Sequence, residues 1–237
     1  KTPRLYNALN AWLGQGENWA HLTHLTTCLW MVAALIQTGE VNLTQWVKHI
    51  PCRGQYAQSR QRRIRRWLGN PRINVHRLYK PIIQAALATW EDPYVYVSLD
   101  TTQFWEQYCL IRLAVVHRGR ALPLGWRVLE HSSATVAFSE YQELLVHASR
   151  YLPNGVKVIL LADRGFVHTH AMSALRRMGW HYRIRLKSNT WIWRSKGGWI
   201  QPKNVHLAGG EVCCWHHVKL HKQQWYGSVH VIFGRNN

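Results

Sequence analysis

The sequence predicts an α/β protein: a five-stranded mixed sheet with flanking helices, preceded by an all-helical region and followed by the beginning of a β-rich segment. Three observations lead there. Two short apolar runs each end on an aspartate, Tyr94-Val-Tyr-Val-Ser-Leu-Asp100 and Val158-Ile-Leu-Leu-Ala-Asp163. Runs of about 4–8 apolar residues suit strands covered on both faces. The hydrophobic period also changes at Glu91-Asp92-Pro93, from steps of three and four before it to strand-like runs after it. Beyond residue 188, Gly197-Gly198 and Gly209-Gly210 punctuate further strand-like stretches. The organisation read from this is a helical region over 1–92, an α/β core over 93–187 and the start of a β-rich insertion over 188–237.

In the first region, Leu22, Leu25, Leu29, Val32, Ala33 and Ile36 recur at helical steps and predict a core-facing stripe, stopped at Gly39. A short helix follows from Leu43, with Thr44 as a candidate cap and Pro51 closing it. Ser59 to Leu68 predicts a helix with Ile64, Trp67 and Leu68 on one side and Arg62, Arg65 and Arg66 on the other. Arg60 and Arg63 lie on its flanks. Five arginines in seven residues with no acid among them suit phosphate oxygens, which the planar guanidinium fork matches. Val75 to Trp90 completes the helical region.

After the break, the expected order is strand Tyr94–Asp100, a hairpin of Tyr108–His117 and Ala121–Glu130 about Arg118-Gly119-Arg120, and helix Thr135–Tyr151. Strand Val156–Ala162, helix Thr169–Met178 and strand His181–Leu186 follow. Right-handed crossovers place the fourth strand beside the first. Run parallel, the two would bring Asp100 and Asp163 to one edge of the sheet, about one strand spacing of 4.8 Å apart. Sheets of this class bind ligands at that edge. Carboxylates that close repel unless a cation holds both. Mg²⁺ suits them, because it takes carboxylate oxygens and keeps waters for chemistry. Two such ions can serve the attacking and leaving oxygens of a phosphodiester.

Charge points the same way. The chain has 30 Lys+Arg against 11 Asp+Glu, a formal net charge of +19. The excess is spread over all three regions, with 12 basic to 4 acidic residues in 1–92, 12 to 6 in 93–187 and 6 to 1 in 188–237. A folded body that basic favours a polyanion, with nucleic acid foremost. Cys28, Cys52, Cys109, Cys213 and Cys214 form an odd, irregular set, expected as reduced thiols in a cytoplasmic protein. The apolar stretch Leu25–Ile36 is too short to span a bilayer, and no signal peptide is visible. The ends at Lys1 and Asn237 read as cut from something longer.

Ser98-Leu-Asp100-Thr-Thr102 and Leu161-Ala-Asp163-Arg-Gly-Phe166 resemble the first and second catalytic motifs of DDE-type transposases with an RNase-H-like core, most closely those of the insertion-sequence-four group of bacteria. The arginine-rich helix resembles that group's N-terminal DNA-binding region, and Tyr182-Arg-Ile-Arg185-Leu-Lys187 its fifth-strand segment. The resemblance implies that Asp100 and Asp163 are two members of a catalytic carboxylate triad holding two Mg²⁺ or Mn²⁺ ions. Arg60, Arg62, Arg63, Arg65, Arg66, Arg164, Arg185 and Lys187 would contact double-stranded DNA, both terminal inverted repeats and target. It also implies a homodimer on paired ends, in the bacterial cytoplasm and associated with the nucleoid. The third member, a glutamate in a Tyr-Arg-Glu-Lys-like helix, has no counterpart; Glu211 stands in a Gly-Gly-Glu-Val context instead. The polypeptide as given is therefore expected to lack an intact site. A non-catalytic DNA-binding remnant and an RNase-H-like nuclease remain the alternatives.

Cys213-Cys214-Trp-His216-His217 invites zinc, but adjacent strand residues point to opposite faces and converge poorly. His168 and His170 read as a helix start. Glu140 and Glu143 read as surface acids. Trp105, near Asp100, is a candidate to stack on an unpaired base.

Overall fold

A computed structural model describes residues 2–14, 19–51 and 56–236; Cys52 lies outside them. The chain divides into two compact units, Lys1–Ile82 and Ile83–Asn237. The first unit contains α1 (Thr2–Leu13), α2 (Leu22–Thr38), α3 (Leu43–Trp46) and α4 (Ala57–Leu68), and α5 (Val75–Leu87) runs on into the second.

Its core gathers Met31, Ala34, Trp46, Val47, Ile50 and Ile64 from α2, α3, the segment after it, and α4. Leu25, Leu29 and Ala33 are buried as their spacing predicts, whereas Leu22 and Ile36 are 79% and 57% exposed. They stand near the two ends of α2, where no other element among the described residues covers the stripe. Leu68 is likewise exposed at the end of α4. The cap of α3 is Asn42, not Thr44: its side-chain oxygen accepts from the Thr44 and Gln45 N–H groups. An asparagine two positions earlier reaches two otherwise unpaired donors. Gly39 adopts φ 69°, and its N–H returns to the Leu35 carbonyl, closing α2 in the left-handed conformation that glycine adopts freely.

Cys28 sits on α2, and burial pushes its thiol up to about 11. Such a group is only about 0.1% thiolate at pH 8, and the thiolate is the nucleophile. Cys109, fully buried, is also shifted up by desolvation. Among the described cysteines, a disulfide reagent at pH 8 is therefore expected to label exposed Cys214 first and to reach Cys28 and Cys109 only on unfolding. Peptide mapping by mass spectrometry checks the order; early labelling of Cys28 would contradict it.

The second unit is built on a five-stranded sheet of order β3-β2-β1-β4-β5. Its strands are β1 (Tyr94–Phe104), β2 (Tyr108–His117), β3 (Arg120–Glu130), β4 (Lys157–Ala162) and β5 (His181–Ile184). β1 pairs antiparallel with β2 and parallel with β4, and β4 pairs parallel with β5. This is the five-stranded mixed sheet with flanking helices that the sequence predicts, with α6 (Ser139–Ser149) carrying the chain from β3 to β4 and α7 (Thr169–Arg177) from β4 to β5. One face of β1 buries Val95, Val97 and Leu99, and the matching face of β2 buries Cys109, Ile111 and Leu113. Gly125 lets α6 approach β3: a Cβ there would stand 2.8 Å from Leu144 Cδ1.

Of the boundaries that differ from the sequence pattern, two bear on the site. α6 begins at Ser139 because the segment before it is tied across to β1, where Thr101 Oγ1 and the Gln103 amide donate to the Ala134 and Ser132 carbonyls. β1 runs on to Phe104 because β2 continues to pair with it after β4 has ended. Asp100 therefore lies within β1, at the level where its second neighbour stops.

A second sheet, β7-β6-β8-β9, follows, with β6 (Ile192–Arg194), β7 (Gly198–Ile200), β8 (Val212–Leu220) and β9 (Tyr226–Gly234). Ile192, Val218, Leu220, Val229 and Val231 pack with Met172 of α7, and Tyr182 and Ile184 of β5 lean on the same cluster. Tyr182 and Tyr226 join hydroxyl to hydroxyl at 2.9 Å.

Candidate active site

The last registered pair of the parallel strands β1 and β4 is Leu99 with Ala162. The next residue on each chain is Asp100 and Asp163, so the two carboxylates stand at matching levels of neighbouring strands. β4 ends there because Asp163 has φ −79° and ψ 171° and opens the 3-10 turn Arg164–Phe166. Phe166 anchors that turn: it is buried, packs edge-on against buried Tyr141 of α6 at 5.5 Å and 81°, and donates its N–H to the Asp163 carbonyl. Burial pushes the Tyr141 phenol up to about 12, a measure of how dry this seam is.

Both carboxylates are exposed. One oxygen of Asp100 accepts from the Thr101 N–H at 2.9 Å. One oxygen of Asp163 faces the Arg185 guanidinium at 3.5 Å, with both side chains more than half exposed. Such an ion pair contributes at most about 1 kcal/mol. Each carboxylate thus retains an oxygen turned to neither partner. Arg185 itself is placed just past β5 by its N–H, which donates to the Ala162 carbonyl.

The register adds a residue that the sequence reading passed over. Arg112 of β2 is the cross-strand partner of Asp100 and is exposed. Cross-strand partners stand on one face of the sheet, so Arg112 and Arg185 flank the two carboxylates from opposite sides. The available signal was a lone charge inside the apolar run Cys109–Val116.

The other candidate residues are distributed as follows. Arg164 and Lys187 are exposed, in the turn after Asp163 and in the loop after β5. On α4, Arg62, Arg65 and Arg66 are exposed, but Arg60 and Arg63 are partly buried and bonded within their own unit. Arg60 donates to the Val47 carbonyl, and Arg63 to Thr27 Oγ1 and the Pro51 carbonyl. Glu140 pairs with Arg127 at 3.4 Å. Glu211 closes its own turn by accepting from the Ala208 N–H at 2.7 Å. Trp105 is 84% exposed at the β1–β2 turn, with φ 48°. The His168 ring stacks on Phe138 and lies 5.3 Å from His170.

Cys213, Cys214, His216 and His217 do not converge. A register shift between Trp215 and Val218 places both histidines in a bulge, where His216 meets His230 and His217 meets Ser228. Among the described residues no group of three or more His, Cys, Asp or Glu side chains is arranged to hold a metal. No described helix is long and apolar enough to cross a membrane.

Two solved structures of the Mos1 transposase catalytic domain with raltegravir, one with Mn and one with Mg, are similar in fold to part of this chain. They are 16% and 15% identical to it, each with a TM-score of 0.30 over 46% of this chain. The match spans 61% and 62% of those domains. No family model matches the chain, and no curated protein does.

Proposed function

We propose that the chain is the DNA-binding region and the first part of the catalytic core of a DDE-type transposase of the insertion-sequence-four group, acting by metal-dependent strand cleavage and transfer at element ends. The observation that carries this is the level placement of Asp100 and Asp163 on parallel neighbouring strands of an RNase-H-like sheet. The organisation over 1–92, 93–187 and 188–237 follows the same reading, as does the homodimer on paired ends.

The donor chemistry fits a divalent ion. Two exposed, acceptor-only carboxylates each retain a free oxygen, and Mg²⁺ takes one or two carboxylates and fills its shell with water and phosphate. Asp100 and Asp163 would hold it, and the chemistry it supplies is activation of an attacking oxygen and stabilisation of a leaving one. The chain's own groups do the rest. Arg112 and Arg185 offset the paired negative charge and offer donors to the non-bridging oxygens of a phosphodiester. Exposed arginines of α4 hold the duplex through its backbone.

Paramagnetic resonance titration with Mn²⁺, run beside duplex-DNA binding at several salt concentrations, tests the reading. Saturable Mn²⁺ binding and salt-dependent DNA binding are expected. A chain that takes up no Mn²⁺ at millimolar concentration, with or without DNA, does not fit it. A second reading is DNA binding without chemistry. It is favoured by the lack, among the described residues, of a third acid beside the pair. Binding with no metal-dependent nicking separates the two, and cleavage confined to RNA–DNA hybrids would instead indicate a nuclease.

A further inference from the structure

In the first unit, an open cavity of about 480 Å³ lies between α2 and α4. Its floor is stapled. Arg63 donates twice to Thr27 Oγ1, at 3.1 and 3.0 Å, and Trp67 Nε1 donates to the His24 carbonyl at 2.8 Å. Asn70 Oδ1 accepts from the Arg72 N–H at 3.0 Å, so its amide nitrogen is the atom facing His24 Nε2 at 3.2 Å.

Above this floor stand Arg62 and Arg66, exposed and one helical turn apart, both on the cavity's lining. Neither has a partner among the described residues, in contrast to Arg63. Like charges spaced i and i+4 repel, and no acidic residue among the described ones lines the cavity to relieve them. Thr23 and Ser59, each carrying a hydroxyl, line the same space. Two unpaired guanidinium forks and neutral donors around a cavity without a carboxylate form a receptor for an oxyanion with several oxygens.

We infer that this cavity is a phosphate site, and that it seats a backbone phosphate of duplex DNA. Arg62 and Arg66 are its ligands. Arg63 is a positioning residue that locks α4 to α2, and Arg65, which does not line the cavity, stands outside the site. The identity of the phosphate's source rests on the DNA reading above; the site itself does not.

The test uses the full chain, its R62Q/R66Q and R62K/R66K variants, and R65Q as control, each checked by circular dichroism. Duplex binding is read by fluorescence anisotropy across a salt series, and pyrophosphate binding by calorimetry. For R62Q/R66Q, DNA affinity should fall about tenfold or more, and the slope of log K against log salt should shrink by about 1.8, near 0.9 per lost contact. Pyrophosphate binding should disappear. R62K/R66K should keep most of the slope but bind pyrophosphate more weakly, because the ammonium lacks the fork. R65Q should leave pyrophosphate binding unchanged. If the chain binds no DNA yet takes pyrophosphate in an Arg62- and Arg66-dependent way, the site stands and the DNA reading fails. Unchanged slope and pyrophosphate affinity in R62Q/R66Q would overturn the site and leave these arginines a solvated face.

Discussion

Asparagine in place of Asp100 is expected to weaken Mn²⁺ binding on the order of 100-fold or more, and in a version that carries the third carboxylate it should also abolish strand scission. The substitution keeps size and shape, and the amide oxygen can still accept from the Thr101 N–H. It removes one of the two charges that meet where β1 and β4 part. Outer partners of metal ligands alone are worth about 10- to 100-fold in affinity, so loss of a ligand carboxylate should cost no less. Stability should hold or rise slightly, since the change relieves repulsion from Asp163. Asp92, an exposed aspartate in the linker before β1, supplies the control: D92N should bind Mn²⁺ as the parent does. Mn²⁺ titration of this chain reads the result. Unaltered Mn²⁺ affinity in D100N would remove Asp100 from the site.

Phe166→Ala is expected to have the largest effect on folding of the second unit, about 3–5 kcal/mol, the range for truncating a buried aromatic. Phe166 is 5% exposed and its ring abuts Tyr141, itself 2% exposed. The loss should also reach Asp163, because the 3-10 turn that Phe166 anchors begins on that residue. Mn²⁺ affinity should therefore drop even where the variant is still folded. Ile64→Ala in the first unit removes a fully buried side chain at about 2–5 kcal/mol and should leave Mn²⁺ binding intact. Denaturant unfolding followed by Mn²⁺ titration distinguishes a positioning role from general destabilisation. If F166A binds Mn²⁺ as tightly as the parent, the turn does not hold Asp163.

Much of the second unit was legible in the sequence, since Tyr94–Leu99 and Val158–Ala162 are apolar runs of strand length, although β1 buries Val95, Val97 and Leu99 on one face and leaves the other partly exposed. The adjacency of strands one and four followed from the handedness of crossovers. Legibility failed wherever a residue's role depended on a partner far along the chain. Leu22 and Ile36 continue the α2 stripe by spacing, but among the described residues both are left exposed. Arg63 has the same composition signal as Arg62, yet Thr27, 36 residues away, draws it inward. The bulge that turns His216 toward His230 has no local marker.

The sequence by itself determined the strongly basic body, the order of helices and strands, and the placement of an aspartate after each of two apolar runs. These follow from charge and from the periods of 3.6 and 2, which are properties of neighbouring residues. Only the tertiary structure decided that Leu99 and Ala162 share a level, that Arg112 faces Asp100, and that Arg62 and Arg66 stay unpaired above a cavity while Arg63 does not. Register and pairing arise from contacts between distant segments, and a local pattern does not encode which distant segment will be met.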